Sequence, residues 1–95
     1  MTRVRFSALA LQDLEEIVAY IGRDNKDAAR RVVNRIEEVC FSLCEFPEIG
    51  AMSEVPHARK LFVPDIPYKV VYEIVKKRRT VTILRIYHDA RNTAY

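Results

Sequence analysis

The sequence predicts an α+β fold, β-α-α-β-β-β, in which a helical hairpin packs on one face of a small, mainly antiparallel four-stranded sheet. Two long segments repeat apolar residues every three or four positions, as amphipathic helices do. Three later segments are rich in β-branched and aromatic residues and lie close together in the chain, as sequential strands do. With 95 residues, the chain is expected to form one domain spanning 1–95.

The first helix is expected to follow a short strand at residues 4–6, with Ser7 as its N-cap. Gly22 and the polar residues after it are expected to end the helix. Its expected apolar stripe is Leu11, Leu14, Ile17, Val18 and Ile21. Its expected water-facing residues are Gln12, Asp13, Glu15 and Glu16.

The second helix is expected to begin after Asn25, whose side chain can cap it, and to end near Phe46-Pro47, because proline disfavours a helical residue before it. Asp27 in the first turn suits the helix dipole. The expected apolar stripe of this helix is Ala29, Val32, Val33, Ile36, Val39, Cys40 and Leu43. Together the two helices should form a hairpin.

The second half of the chain is expected to supply an antiparallel meander. The expected elements are a loop at 48–57, strands at 58–63, 68–75 and 80–87, a turn at 64–67 and a basic hairpin tip at 76–79. The helices can cover one face of this sheet, which leaves the other face without cover. Alternation favours Leu84 and Ile86 under the helices. It points Val81, Ile83, Arg85 and Tyr87 to the other face, which leaves Arg85 and Tyr87 on an open face that is a plausible docking surface.

The charge of the chain is uneven. Residues 1–50 carry seven Lys/Arg against nine Asp/Glu, whereas residues 51–95 carry nine against four. A basic half suits an acidic partner or a nucleic acid, although an ordinary soluble surface of moderate charge fits the same numbers.

Several classes of protein are disfavoured by composition. Two glycines in the chain are too few for a P-loop or a dinucleotide-binding fingerprint. Cys40 and Cys44 form no zinc motif and are expected to be reduced core residues of a cytosolic protein. We therefore expect neither metal nor cofactor. No run approaches the roughly 18 apolar residues that a membrane span needs, and the first residues lack the pattern of a signal peptide.

The strand end at Tyr87-His88 is the candidate for chemistry. An imidazole is a natural general acid or base, and neighbouring cations could hold a phosphate, so metal-free RNA cleavage is chemically feasible there. A lone histidine at a strand end is also a common structural or solvated residue. The residues that could contribute are Arg59, Lys60, Lys69, Arg85, Tyr87, His88, Arg91 and Tyr95.

The order and spacing of several motifs resemble the RelE/ParE superfamily of bacterial toxins from type II toxin–antitoxin pairs. The motifs are Asp13-Leu14-x-x-Ile17-x-x-Tyr20-Ile21, Asp24-Asn25-x-x-Ala28-Ala29-x-Arg31, Leu43-x-x-x-Pro47-x-x-Gly50, Pro67-Tyr68-Lys69-Val70-Val71-Tyr72 and Ile83-Leu84-Arg85-Ile86-Tyr87-His88-x-x-Arg91. The resemblance covers nearly the whole chain. It implies a cytoplasmic toxin that arrests growth, stabilises plasmids and is neutralised by a cognate antitoxin in a hetero-oligomer.

Two targets follow from the resemblance. The helix motifs look ParE-like, which implies a non-enzymatic poison of DNA gyrase. The alternative is a RelE-like, ribosome-dependent mRNA endonuclease, for which Arg91-x-x-x-Tyr95 is typical but Lys69 is not, since that branch usually has arginine there. Catalytic residues in that case would be His88, Arg85, Arg91, Lys69 and Tyr95. Residues that would bind antitoxin or target are Arg59, Lys60, Lys69, Arg85 and Tyr87. A third hypothesis is a chain that retains only antitoxin binding.

Overall fold

Two helices and five strands make up the part of the chain that the structure, a computed structural model, describes, residues 2–89. The helices are α1 (Ala8–Gly22) and α2 (Lys26–Ser42). The strands are β1 (Arg3–Phe6), β2 (Ala51–Met52), β3 (Ala58–Phe62), β4 (Tyr68–Val75) and β5 (Thr80–His88). A single 3₁₀ turn, Lys76–Arg78, forms the predicted basic hairpin tip.

The strands form one mixed sheet in the order β1-β5-β4-β3-β2. The predicted helical hairpin and the antiparallel meander β3-β4-β5 are confirmed. The predicted number of four strands is wrong, because the segment expected to be a loop supplies β2, which pairs with β3. Strand β2 has two exposed residues and therefore shows no apolar alternation. Strand β1 runs parallel to β5, a long-range pairing that local sequence pattern does not encode.

Both helices begin at the predicted caps. The Ser7 hydroxyl accepts a hydrogen bond from Ala10 N (3.0 Å) and donates one to Leu84 O (2.8 Å), so the cap also ties α1 to β5. Asn25 Oδ1 accepts a hydrogen bond from Ala28 N at 3.0 Å. Helix α2 ends at Ser42, earlier than the proline predicted, because short hydrogen-bonded turns replace its last expected turn.

The helix-facing core contains most of the predicted stripe of α2, and the stripe of α1 is rotated. Leu11 and Val18 were predicted to be buried and are exposed. Ala10 and Asp13 are buried instead, because α1 packs against both α2 and β5. The buried arc of α1 is therefore centred on positions 10, 13 and 17.

A β-bulge in β5 changes which residues face the helices. Val71 pairs with Arg85 and the next residue, Tyr72, pairs with Ile83, so Leu84 is an extra residue in β5. Ile83 and Ile86 both join the helix-facing core, as does Val81, and Leu84 packs on the opposite face. The prediction for Ile86 is confirmed. The predictions for Leu84, and for Val81 and Ile83 on the open face, are wrong because the bulge resets the alternation.

The face opposite the helices carries a small apolar cluster. Val71 and Tyr87 pack there with Ala58, and Val55 and Leu84 flank them. Val55 comes from the segment before β3, so this chain partly covers a face that was expected to be bare. We call this surface the open face. Its residues, from pairing and alternation, include Arg3, Arg5, Ala58, Lys60, Phe62, Lys69, Val71, Glu73, Leu84 and Tyr87, and also Arg85, which was predicted there and pairs with Val71.

Candidate protein-binding site on the open face

Lys69 is the central cation of the open face. It lies in β4, opposite Tyr87 on β5 and Phe62 on β3, and only 7% of its surface is exposed. Its Nζ lies 6.0 Å from the centre of the Tyr87 ring. Within residues 2–89, no carboxylate forms an ion pair with it. Because a buried charge without a counter-charge is unfavourable, this position suits an anionic group from a binding partner.

Arg85 is held by α1. Its Nε and Nη2 donate hydrogen bonds to the two carboxylate oxygens of Asp13, at 2.9 and 3.0 Å. Asp13 also accepts a hydrogen bond from Ile86 N at 2.8 Å. The guanidinium carbon lies 4.7 Å from the centre of the Tyr87 ring, within the range of a cation–π contact. A charged residue inside an apolar strand needs water or a partner, and Asp13 is one such partner.

Asp13 is a residue that sequence reasoning missed, since it was predicted to face water. Strand β1 pairs with β5 only as far as Ile83. Beyond that point, the carboxylate of Asp13 binds the backbone N–H of Ile86 at the strand edge. A signal for its burial was present: position 13 lies three residues after Ala10 and four before Ile17, on the same side of a helix.

His88 does not share the face of Lys69 and Tyr87. Its ring packs edge-on against Tyr68, with centroids 5.3 Å apart. Both rings line a cleft of about 490 Å³ between α1 and the end of β5. The other residues lining this cleft are Asp13, Glu16, Ile17, Tyr20 and Ile86. Neighbouring strand residues point to opposite faces, so His88 lies on the helix side of the sheet while Tyr87 lies on the open face.

The remaining predicted residues are divided in the same way. Lys60 pairs with Val71 and lies on the open face. Arg59 pairs with Tyr72, which is in the helix-facing core, and its Nη1 donates hydrogen bonds to Glu48 O (3.2 Å) and Gly50 O (2.9 Å). Arg59 therefore has a structural role in this arrangement. The predicted residues Arg91 and Tyr95 lie outside the described residues.

Two further cations of the open face come from β1. Arg3 and Arg5 pair with Thr80 and Thr82, and both are exposed. They were not predicted as site residues, because only the parallel pairing of β1 with β5 brings them into the sheet on this face, where β5 separates them from β4. Glu73, opposite Thr82, is the one carboxylate that we assign to the open face within residues 2–89. The surface is thus cationic at both ends of its apolar cluster.

Residues 2–89 offer neither a metal site nor a membrane-spanning helix. No group of three or more His, Cys, Asp or Glu side chains there could hold a metal ion. None of the helices in this part of the chain has the length and apolarity to cross a membrane. Of the two free thiols, Cys40 lies in the helix-facing core, where burial raises its pKa to about 12.

Comparison with known proteins points to one family. The profile of the family described as "ParE toxin of type II toxin-antitoxin system, parDE" matches residues 4–93. Toxin Y4kP of Sinorhizobium fredii is 42% identical over 86 residues, which cover 90% of this chain and 86% of that protein. Toxin RelE2 of Caulobacter vibrioides is 35% identical over 91 residues, covering 96% of this chain and 99% of the relative.

Solved structures show the same fold. The chromosomal ParDE toxin–antitoxin system from P. aeruginosa matches with a TM-score of 0.80 and 25% identity, covering 93% of this chain and 96% of the other. The isolated RelE toxin from E. coli matches with a TM-score of 0.69 and 16% identity, covering 100% and 92%. With a match from Val4 to residue 93 and two relatives above 30% identity, this chain belongs to the ParE toxin family of type II toxin–antitoxin systems, within the RelE/ParE superfamily.

Proposed function

We propose that this toxin acts by binding DNA gyrase and inhibiting it, without cutting RNA. The observation that carries the proposal is the separation of His88 from Lys69 and Tyr87 by the sheet. The family profile, which is that of ParE toxins, supports the same target.

The separation matters because RNA cleavage without a metal needs several groups around one phosphate. A general base must reach the 2′-hydroxyl within about 3 Å, and cations must contact the same phosphate. His88 faces the cleft beside α1, whereas Lys69 faces the other side of the sheet. The Nε and Nη2 groups of Arg85 are already engaged by Asp13, which neutralises its charge. These residues are therefore better arranged for recognising a protein surface than for catalysis.

Purified gyrase tests this proposal. The toxin, freed from its antitoxin, is expected to inhibit supercoiling of relaxed plasmid and to increase cleaved DNA. A His88→Ala variant is expected to inhibit equally well, because a non-enzymatic inhibitor needs no general base and the imidazole lies in the cleft beside α1. Supercoiling that continues at the wild-type rate with excess toxin would overturn the proposal.

A RelE-like ribonuclease is the second candidate function. The 35% identity to toxin RelE2 and the convergence of Lys69 and Arg85 on the Tyr87 ring favour it. In that case His88→Ala would lower ribosome-dependent mRNA cleavage by roughly 10²–10⁴-fold, the usual contribution of a general base. Primer extension on translated mRNA measures this, and an absence of cleavage by wild-type toxin would exclude it.

We further propose that the cognate antitoxin lies on the open face and forms a hetero-oligomer with the toxin. Lys60, Lys69, Arg3 and Arg5 surround an apolar cluster there, a pattern that fits an acidic segment with apolar side chains. The test is co-purification with the product of the adjacent reading frame. Lys60→Glu is expected to weaken the complex, and Lys77→Glu at the hairpin tip serves as the matched control.

A further inference from the structure

A second surface, residues 45–54, differs from the open face in both chemistry and position. It contains three large apolar side chains that are mostly exposed: Phe46 at 58%, Ile49 at 60% and Met52 at 61%. Phe46 and Ile49 line an open cleft of about 410 Å³, together with Glu45, Pro47 and Glu48. Clustered exposed apolar side chains with a polar rim are typical of protein-binding surfaces. We call this segment the 45–54 loop.

The 45–54 loop is held in place from beneath. The Tyr72 hydroxyl accepts a hydrogen bond from Gly50 N and donates one to Pro47 O, both at 2.8 Å. Arg59 donates to the carbonyl oxygens of Glu48 and Gly50. A Cβ atom at Gly50 would lie 2.6 Å from Tyr72 Oη, so the backbone packs directly on the hydroxyl. Because the loop is ordered before binding, its apolar side chains are presented with little further loss of entropy.

The charge of the 45–54 loop is opposite to that of the open face. Its charged residues are Glu45, Glu48 and Glu54, and residues 43–56 contain no lysine or arginine. Arg59, the cation bonded to this loop, is engaged by the carbonyl oxygens of Glu48 and Gly50, so the side chains that the loop itself presents are acidic and disfavour an acidic peptide or a phosphate backbone. A protein surface with apolar pockets and a basic rim would be complementary.

We propose that the 45–54 loop is the surface with which the toxin docks on its target, and that the occupant is a basic protein surface. Resting on the proposed function, this occupant is the DNA-binding region of gyrase, since surfaces that bind DNA are rich in lysine and arginine. Phe46 and Ile49 supply the apolar anchors, and Glu45 and Glu48 face the basic rim. The toxin thus has two docking surfaces of opposite charge, one for the antitoxin and one for the target.

The test compares three variants in the same assays. Phe46→Ser/Ile49→Ser removes the anchors, Glu48→Lys reverses one rim charge, and Leu9→Ser is the control for loss of an equally exposed apolar side chain elsewhere. The first two are expected to need about tenfold or more toxin for half-inhibition of gyrase supercoiling, as loss of interface anchors does. Their affinity for the antitoxin, measured by titration calorimetry, should equal that of the wild type. Leu9→Ser should change neither value.

The outcomes separate the inference from the proposed function. If wild-type toxin fails to inhibit gyrase, the proposed function fails, and the loop is then judged by growth arrest in cells, which does not depend on the identity of the target. Full growth arrest by both loop variants would overturn the inference. So would a loop variant that loses antitoxin binding, or one that dissociates a toxin dimer, because the occupant would then be the antitoxin or a second copy. Glu48→Lys, a change of an exposed side chain, remains informative if the double variant does not fold.

Discussion

The two halves of β5 differ although they belong to one continuous strand. From Thr80 to Ile83, the strand is paired on both sides, with β4 and with β1. From Leu84 to His88, β1 is absent, a bulge interrupts the register and Asp13 of α1 binds the free edge. The first half therefore supplies core residues, whereas the second half supplies Leu84 and Tyr87 to the open face and Ile86 and His88 to the cleft beside α1.

The difference between the two halves shows how this small domain positions polar side chains at a strand edge that has no neighbouring strand. A sheet edge normally presents unpaired N–H and C=O groups. Here a buried carboxylate satisfies one of them and at the same time holds Arg85 against Tyr87. Loss of strand pairing is thus compensated by a helix side chain, and the same carboxylate fixes the Arg85 guanidinium beside Tyr87.

The largest effect on the free energy of unfolding is expected for a core residue in the paired half of β5. Ile83→Ala removes a fully buried side chain opposite Tyr72 and is expected to lower the free energy of unfolding by about 4 kcal/mol, within the range for large-to-small core changes. Leu84→Ala, one residue on, should lower it by about 1 kcal/mol because that side chain is only partly buried. Urea denaturation measures both. Equal losses of stability in the two variants would contradict the bulge, which places Ile83 in the core and Leu84 on the opposite face.

The next largest effect on stability is expected for Asp13, which holds the second half of β5. Asp13→Ala leaves Arg85 and the Ile86 N–H without their acceptor and is expected to lower the free energy of unfolding by about 3 kcal/mol, the lower end for a broken buried ion pair because Arg85 is partly exposed. Glu15→Ala, on the exposed side of α1, is the matched control and should change it little. Denaturation of the two variants side by side decides whether the carboxylate has this role.

A smaller effect is expected for the cation of the second half. Lys69→Met keeps the length of the side chain and removes its buried charge, so stability should be unchanged or slightly higher, by up to about 1 kcal/mol. Affinity for the antitoxin should fall by about tenfold, as expected for loss of a charge-assisted contact. Lys77→Met at the hairpin tip should leave affinity unchanged. Calorimetry shows which surface the antitoxin uses.

The smallest effect on stability is expected from Tyr72, which lies behind the paired half of β5. This effect is confined to alkaline pH. Burial raises the pKa of its hydroxyl above the ordinary value of 10.0. Above pH 10 the unfolded chain loses this proton while the folded chain retains it, so stability falls as pH rises from there and is undiminished below. Tyr72→Phe should weaken this alkaline loss. Thermal unfolding between pH 8 and about 11 compares the two proteins; identical slopes would argue against the assignment.

The sequence predicted a residue of the candidate sites where its position follows from a local pattern, such as strand alternation, and missed it where the position depends on a distant segment. Tyr87 was placed on the open face by alternation and lies there, next to Lys60 and Lys69, which were predicted only as candidate binding residues. Asp13 carried a local signal for burial in its spacing from Ala10 and Ile17, but its pairing with Arg85 depends on where α1 meets β5. Arg3 was not predicted, because its place depends on the pairing of β1 with β5, more than seventy residues away along the chain. The bulge at Leu84 likewise left no local signal, so alternation placed Leu84, Val81 and Ile83 on the wrong faces.

Composition and periodicity by themselves determined the helical hairpin, the three-stranded meander, the capping residues and the basic character of the second half. These features rest on local propensity and on spacing, which a short segment carries within itself. The parallel position of β1, the bulge, the pairing of Asp13 with Arg85 and the anchoring of the 45–54 loop by Tyr72 were decided only by the tertiary structure. Each is a contact between distant segments whose geometry exists only once the chain has packed.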